Sequence, residues 1–199
     1  MTVKVKPGDD HDASHIPTKS FLFACNLVLQ VLDKIGPTMA VLRQDIHQNI
    51  QRLEELYESD PSIYSNLVEI LKKDQRESNA RKGTSCSKAL VWLTRTMDFT
   101  AALLERLAKD PEQSMEQVVE ESYSITLKPW HGWISSAAYK VALKLVPESK
   151  AFIGLLMAED EDYDMLKEEI QSLISLLLPL QEGIHSTLRK FCLDKLKST

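Results

Sequence analysis

The chain has 199 residues, 43% of them hydrophobic and 27% charged, with a net charge of −5. That length and balance fit one domain with a full core and exclude a disordered chain, and the mild acidity leaves no polycationic surface for nucleic acid. Six glycines and eight prolines are too few for the turns of a many-stranded β protein, so helices are expected.

Residues 1–17 are polar, aperiodic and carry Pro7 and Gly8, which predicts a flexible tail ahead of a domain over 18–199. From there apolar residues recur at three- and four-residue spacing between helix-end signals. Ser20 is a candidate cap for a first helix over 21–35, ended by Gly36-Pro37. Pro37 opens a second helix to about Glu58, and Ser59-Asp60-Pro61 closes it and starts a third. A break at 79–83 precedes a long apolar helix over 85–108, and an amphipathic helix follows over 112–127. Lys128-Pro129 then separates off a sixth helix from Trp130 to Val146. A seventh covers 148–158, an acidic turn lies at 159–164, and the last helix spans 165–195 with a kink expected at Pro179. About eight helices, no strand and no linker predict one all-α domain.

No apolar window reaches the roughly 18–20 residues of a membrane span, and the opening MTVKVKPGDDHD lacks a secretory signal's apolar stretch. Cys25, Cys86 and Cys192 form neither a disulfide framework nor a CxxC pair, which suits a reducing cytosol. Phosphate-loop, dinucleotide, zinc-protease and serine-hydrolase motifs are absent, and no histidine stands in ligand spacing with Cys or a carboxylate. Catalysis has no positive support in the sequence, and neither metal nor cofactor is expected.

Three stretches carry chemistry. In RQDIHQNIQRLEEL, Asp45, Asn49 and Arg52 share one helix flank beside the apolar stripe of Leu42, Ile46, Ile50 and Leu53. An acceptor carboxylate, a two-way amide and a guanidinium there can address hydroxyls and an amide; the same spacing also fits a surface Asp–Arg pair with an incidental Asn. On the long helix, Trp92, Phe99 and Leu103 project along one line, with Lys88 and Arg95 flanking. Trp92 fits either a core position or an aromatic plate for the apolar face of a sugar. In KPWHGW, Pro129 and the start of a helix place His131 in a first turn, where the helix dipole favours a neutral ring. A structural histidine between core aromatics fits as well.

Together the three stretches resemble the glycolipid transfer protein family, over about Ser20 to Leu193 and in the family's order. Asp45-x-x-x-Asn49-x-x-Arg52 is similar to its acid–amide–base headgroup motif, ALVWL at 89–93 to its sugar-stacking segment, and Trp130-His131-Gly132-Trp133 to its histidine signature. The resemblance implies a two-layer sandwich of eight α-helices that carries one sphingolipid between membranes, without catalysis, cofactor or metal. It implies that Asp45 and Asn49 bond the sugar and the ceramide amide, Trp92 stacks the sugar, and His131 donates to the amide carbonyl. Leu42, Phe99, Leu103, Tyr139, Ala142 and Leu143 would line an apolar tunnel for the ceramide chains. The expected unit is a cytosolic monomer that touches membranes transiently. Arg52 stands where the family usually has lysine, which keeps the charge and changes the reach. This chain ends CLDKLKST, without the tyrosine members can carry there, which leaves headgroup contact from that end open.

Two alternatives stay open. A ceramide-1-phosphate carrier of the same fold would want cations where Asn49 and Trp92 stand, although Arg52, Lys88 and Arg95 are at hand. A sensor or interaction module would read sphingolipid without moving it.

Overall fold

Side-chain caps set several helix starts, each accepting from an amide that has no partner inside the helix. In the computed structural model, which describes residues 15–158 and 162–198, the helices are α1 (Thr18–Ile35), α2 (Ala40–Ser59), α3 (Leu67–Arg76), α4 (Cys86–Lys109), α5 (Met115–Thr126), α6 (Trp133–Leu143), α7 (Ser149–Leu156) and α8 (Tyr163–Lys190). Ser85 caps α4 by accepting from the Lys88 amide, Ser114 caps α5 through Gln117, and Asp162 caps α8 through Met165. The only β pairing among the described residues is one bridge between Pro17 and Asn66.

Four boundaries differ from expectation, each for a local reason. The first helix starts at Thr18, before Ser20, because Ile16 is anchored: it is 3% exposed and its amide donates to Asn66 Oδ1 at 3.1 Å. The end of the expected tail is therefore part of the fold, and residues 1–14 lie outside the described residues. Pro37 opens a 3₁₀ turn, Pro37–Met39, and α2 proper begins at Ala40. Pro61 starts no helix. The Asp60 carboxylate takes the Ser62 and Ile63 amides into a turn, and α3 waits for the Asn66 side chain, which accepts from Val68. The sixth helix begins at Trp133, since the Trp130 and His131 amides both donate to Leu127 O, at 3.0 and 3.1 Å, and extend the turn that closes α5. The expected acidic turn falls partly on 159–161, outside the described residues, and α8 runs through Pro179.

The helices pack as an all-α sandwich around α4, which touches α2, α3, α5 and α8, while α1 lies on α2 and α7. The larger apolar cluster joins Phe21, Ile50, Leu53, Leu71, Leu93 and Ile184. A second, formed by Leu103, Leu107, Val118, Val119 and Phe152, sits between α4, α5 and α7. The expected stripe of α2 is buried at Ile46, Ile50 and Leu53, but Leu42 is 42% exposed and Val41 84%. The first turn of α2 is uncovered, so helical phase alone does not bury Leu42. No helix among the described residues is long and apolar enough to cross a membrane.

Candidate functional site

The α2 flank holds its three polar residues in one chain of contacts. Asn49 is buried, donates from Nδ2 to its own helix at Asp45 O (3.0 Å), and accepts at Oδ1 from Arg52 Nη1 (3.1 Å). Arg52 thereby fixes which way the amide faces. The Asp45 side chain has an exposed face, yet the protein around its carboxyl raises its pKa above the ordinary value, with Arg52 opposing that rise. No hydrogen bond to this carboxylate is made among the described residues.

A second group gathers where α4 meets the 130–132 loop. Trp92 is half-buried, and its ring centroid is 5.7 Å from that of His131. The Arg95 guanidinium lies over both Trp92 (4.8 Å) and Trp130 (4.3 Å) and donates to Asp194 O at 2.9 Å. Arg95 is 3% exposed, and burial pulls its pKa down to about 10. Its Nη1 is buried without a partner among the described residues. Two indole faces therefore supply much of what the cation has lost in hydration.

His131 touches a third aromatic. The Tyr123 hydroxyl is 3.2 Å from its Nδ1, the two rings are 5.4 Å apart, and Tyr123 stacks on Tyr139 at 3.5 Å. The imidazole pKa is lowered, as expected for a neutral ring, but the cause differs. His131 precedes α6 and gains nothing from being inside its first turn; burial and then the Arg95 charge disfavour the imidazolium. Of its neighbours, Trp130 is half-buried and Trp133 is 80% exposed, so the pair is not a core clamp around the histidine.

No hydrogen bond or ring contact among the described residues joins the two groups directly. They are coupled by the packing of α2 on α4, where the Cys86 thiol reaches Arg52 O at 3.4 Å. Beneath the second group, Phe99, Leu103, Tyr139 and Leu143 share one apolar cluster, and Ala142 is half-buried beside Leu143. Leu42 is not part of that cluster. The cluster borders a depression of about 460 Å³ walled in part by Met115, Leu143 and Val146. The Tyr139 hydroxyl is buried without a partner among the described residues, and burial lifts its pKa to about 12.

Sequence reasoning missed three participants. Tyr123 carried a usable signal: it completes the stripe of Met115, Val118, Val119 and Ser122 on α5, and a phenol in such a stripe calls for a partner. Arg95 was placed beside Trp92 but not inside the protein. Asp98, which holds His185 Nε2 at 2.9 Å and accepts from Gln181, pairs residues from α4 and α8 that only the fold brings together.

Comparison with known proteins agrees with this architecture. The glycolipid transfer protein family model matches residues 16–158. Glycolipid transfer protein 3 of Arabidopsis thaliana is 61% identical over 184 residues, which cover 92% of this chain and 79% of that protein. Glycolipid transfer protein 1 of the same plant is 33% identical, over 94% and 91% of the two chains. Among solved structures, the glycolipid-transfer fold by which FAPP2 selects simple glycosphingolipids superposes with a TM-score of 0.82 at 26% identity, over 94% and 92% of the chains. The human ceramide-1-phosphate transfer protein shares the fold, with a TM-score of 0.80 at 13% identity over 93% and 92%. On the family match and these identities, the chain belongs to the glycolipid transfer protein family, whose members transfer lipids and are not enzymes.

Proposed function

We propose that the protein carries a glycosphingolipid with a small neutral headgroup between membranes, its site formed by Asp45, Asn49, Arg52, Trp92 and His131. The observation that carries the choice of headgroup is the burial of Arg95 behind Trp92. A phosphate dianion is best met by guanidinium groups that can face it. Here the cation over Trp92, Arg95, is 3% exposed, also lies over Trp130 and donates to a backbone carbonyl, so it backs an aromatic plate, while Arg52 is engaged by Asn49 Oδ1. The half-buried indole in front suits the apolar face of a sugar. Asp45 adds a carboxylate acceptor that would repel a phosphate and bond a hydroxyl.

The rest follows from transfer energetics. Each buried CH₂ is worth roughly 0.8 kcal/mol against water, so ceramide chains need an apolar enclosure to cross an aqueous gap. The cluster around Phe99, Leu103, Tyr139 and Leu143 is the region we assign to them. Movement from bilayer to protein is nearly neutral for the chains, which leaves selectivity to headgroup bonds of roughly 0.5–1.5 kcal/mol each. His131, as a neutral donor, would serve the ceramide amide carbonyl common to every such lipid. A cytosolic carrier that touches membranes transiently needs no more than this.

The relatives named as glycolipid transfer proteins and the FAPP2 domain support a sugar-bearing ligand. The test is transfer between phosphatidylcholine vesicles of fluorescent glucosylceramide, galactosylceramide, lactosylceramide and ceramide-1-phosphate. Faster transfer of the monohexosylceramides supports the reading. Preferential transfer of ceramide-1-phosphate overturns it, and binding without transfer would make the protein a sensor.

A further inference from the structure

Beyond α8 the chain turns back and closes over the loop that carries His131. The turn is built by hydrogen bonds: Cys192 adopts a left-handed φ of 56°, its amide donates to Arg189 O at 3.0 Å, and the Leu193 amide donates to Leu188 O at 2.9 Å. This is the paired pattern that ends a helix and redirects the chain, made here without glycine. Leu193 is then sunk into the main core at 2% exposure. Arg81 donates to Cys192 O at 3.1 Å and Arg95 to Asp194 O, so the segment is tied to the fold before it reaches the loop. A cavity of about 170 Å³ lies beneath it, bounded by Arg95, Trp130, His185 and Asp194 among others.

At its far end, Ser198 bonds both neighbours of His131. Its amide donates to Trp130 O and its hydroxyl accepts from the Gly132 amide, each at 2.9 Å. On its other side Leu127 O takes the Trp130 and His131 amides, the Gly132 carbonyl accepts from the Ser136 amide at 3.0 Å, and the Tyr123 hydroxyl meets the His131 ring.

We infer that Ser198 is a positioning residue for lipid binding, and that residues 191–198 act as a strap that sets the placement of the His131 ring. Ser198 does this through the peptide on either side of the histidine and does not itself meet the headgroup. The inference rests on the proposed role of His131 as donor to the ceramide amide. Its consequence is specific: loosening the strap weakens every ceramide-based lipid alike, whatever the headgroup.

The test uses the full chain with Ser198→Ala, Ser198→Pro and Ser198→Thr. Alanine removes the hydroxyl acceptor, proline also removes the amide donor, and threonine keeps both. Three quantities are read for each: vesicle transfer of glucosylceramide and of ceramide-1-phosphate, thermal midpoint, and the His131 ring signals in NMR, assigned with His131→Leu. Loss of one such bond is expected to slow transfer about three- to tenfold. The proline variant should lose more, in equal proportion for both lipids, with shifted His131 signals, an unchanged midpoint and recovery in the threonine variant. Wild-type transfer by the proline variant, loss confined to one lipid, or loss that tracks a fall in midpoint overturns the inference. Failure of the sugar reading is separate, because it appears as the wild-type protein preferring ceramide-1-phosphate.

Discussion

The Tyr123 hydroxyl and His131 Nδ1 are 3.2 Å apart, and the imidazole is held neutral by burial and by the nearby Arg95. A phenol that donates to Nδ1 leaves the ring proton on Nε2, so this pair decides which nitrogen can donate to a ligand. Tyr123 is itself fixed by face-to-face stacking on Tyr139, with 5° between the rings. With the phenol as donor, the tautomer is set from α5, on a different element from the histidine.

Tyr123→Phe keeps the stack and removes the hydroxyl. Binding of ceramide-based lipids, read from tryptophan emission on titration, should weaken about three- to tenfold. Equal affinity for variant and wild type would mean that the tautomer is set elsewhere.

Trp92→Ala should abolish transfer of glycosylated ceramides while lowering stability by less than the roughly 3–5 kcal/mol typical of a core tryptophan. The ring is half-buried and one face is covered by Arg95. Urea unfolding beside the transfer assay checks both halves. A fully active variant, or one that unfolds, makes Trp92 a packing residue.

The fold was legible because its signals are local. Ile46, Ile50 and Leu53 repeat at helical spacing and are all buried, and Ser85 and Asn79 to Gly83 bracket real ends of structure. Boundaries failed where a partner outside the expected helix competed: the Asn66 side chain draws in Ile16 and starts α3, and the main-chain Leu127 O holds Trp130 and His131 out of α6. Within the site, Asp45, Asn49 and Arg52 could be read together because one helix carries them. The contacts of Arg95 with Trp130 and of Ser198 with Gly132 cross 35 and 66 residues, and no spacing rule reaches that far.

The depressed His131 pKa gives a pH prediction with a definite sign. Below about 6.5 the unfolded histidine takes up a proton that the folded one resists, so stability attributable to this residue falls as pH drops. Thermal midpoints of wild type and His131→Leu should run parallel from pH 8 to about 6.5, and wild type should lose the more below it. Curves parallel down to pH 5 would contradict a buried neutral ring.

Tyr139→Phe removes a hydroxyl that is buried without a partner among the described residues. Deleting such a group relieves an unmet desolvation cost, so the midpoint should stay level or rise, by the equivalent of about 1 kcal/mol. A clear fall would show that the hydroxyl has a partner, such as an ordered water. Transfer should change little if Tyr139 only lines the chain region.

In the proposed function Asp45 heads the site for a neutral sugar-bearing sphingolipid. The carboxyl is raised in pKa by the protein around it, which means that its charge is disfavoured in the folded state and stability is lost as pH rises through that pKa. Removing the charge therefore should not unfold the protein. The most direct measurement is the rate of glucosylceramide transfer by Asp45→Val beside wild type, with folding followed by circular dichroism. A helical, folded variant that transfers no glucosylceramide is expected. A folded variant working at the wild-type rate would contradict the role of Asp45.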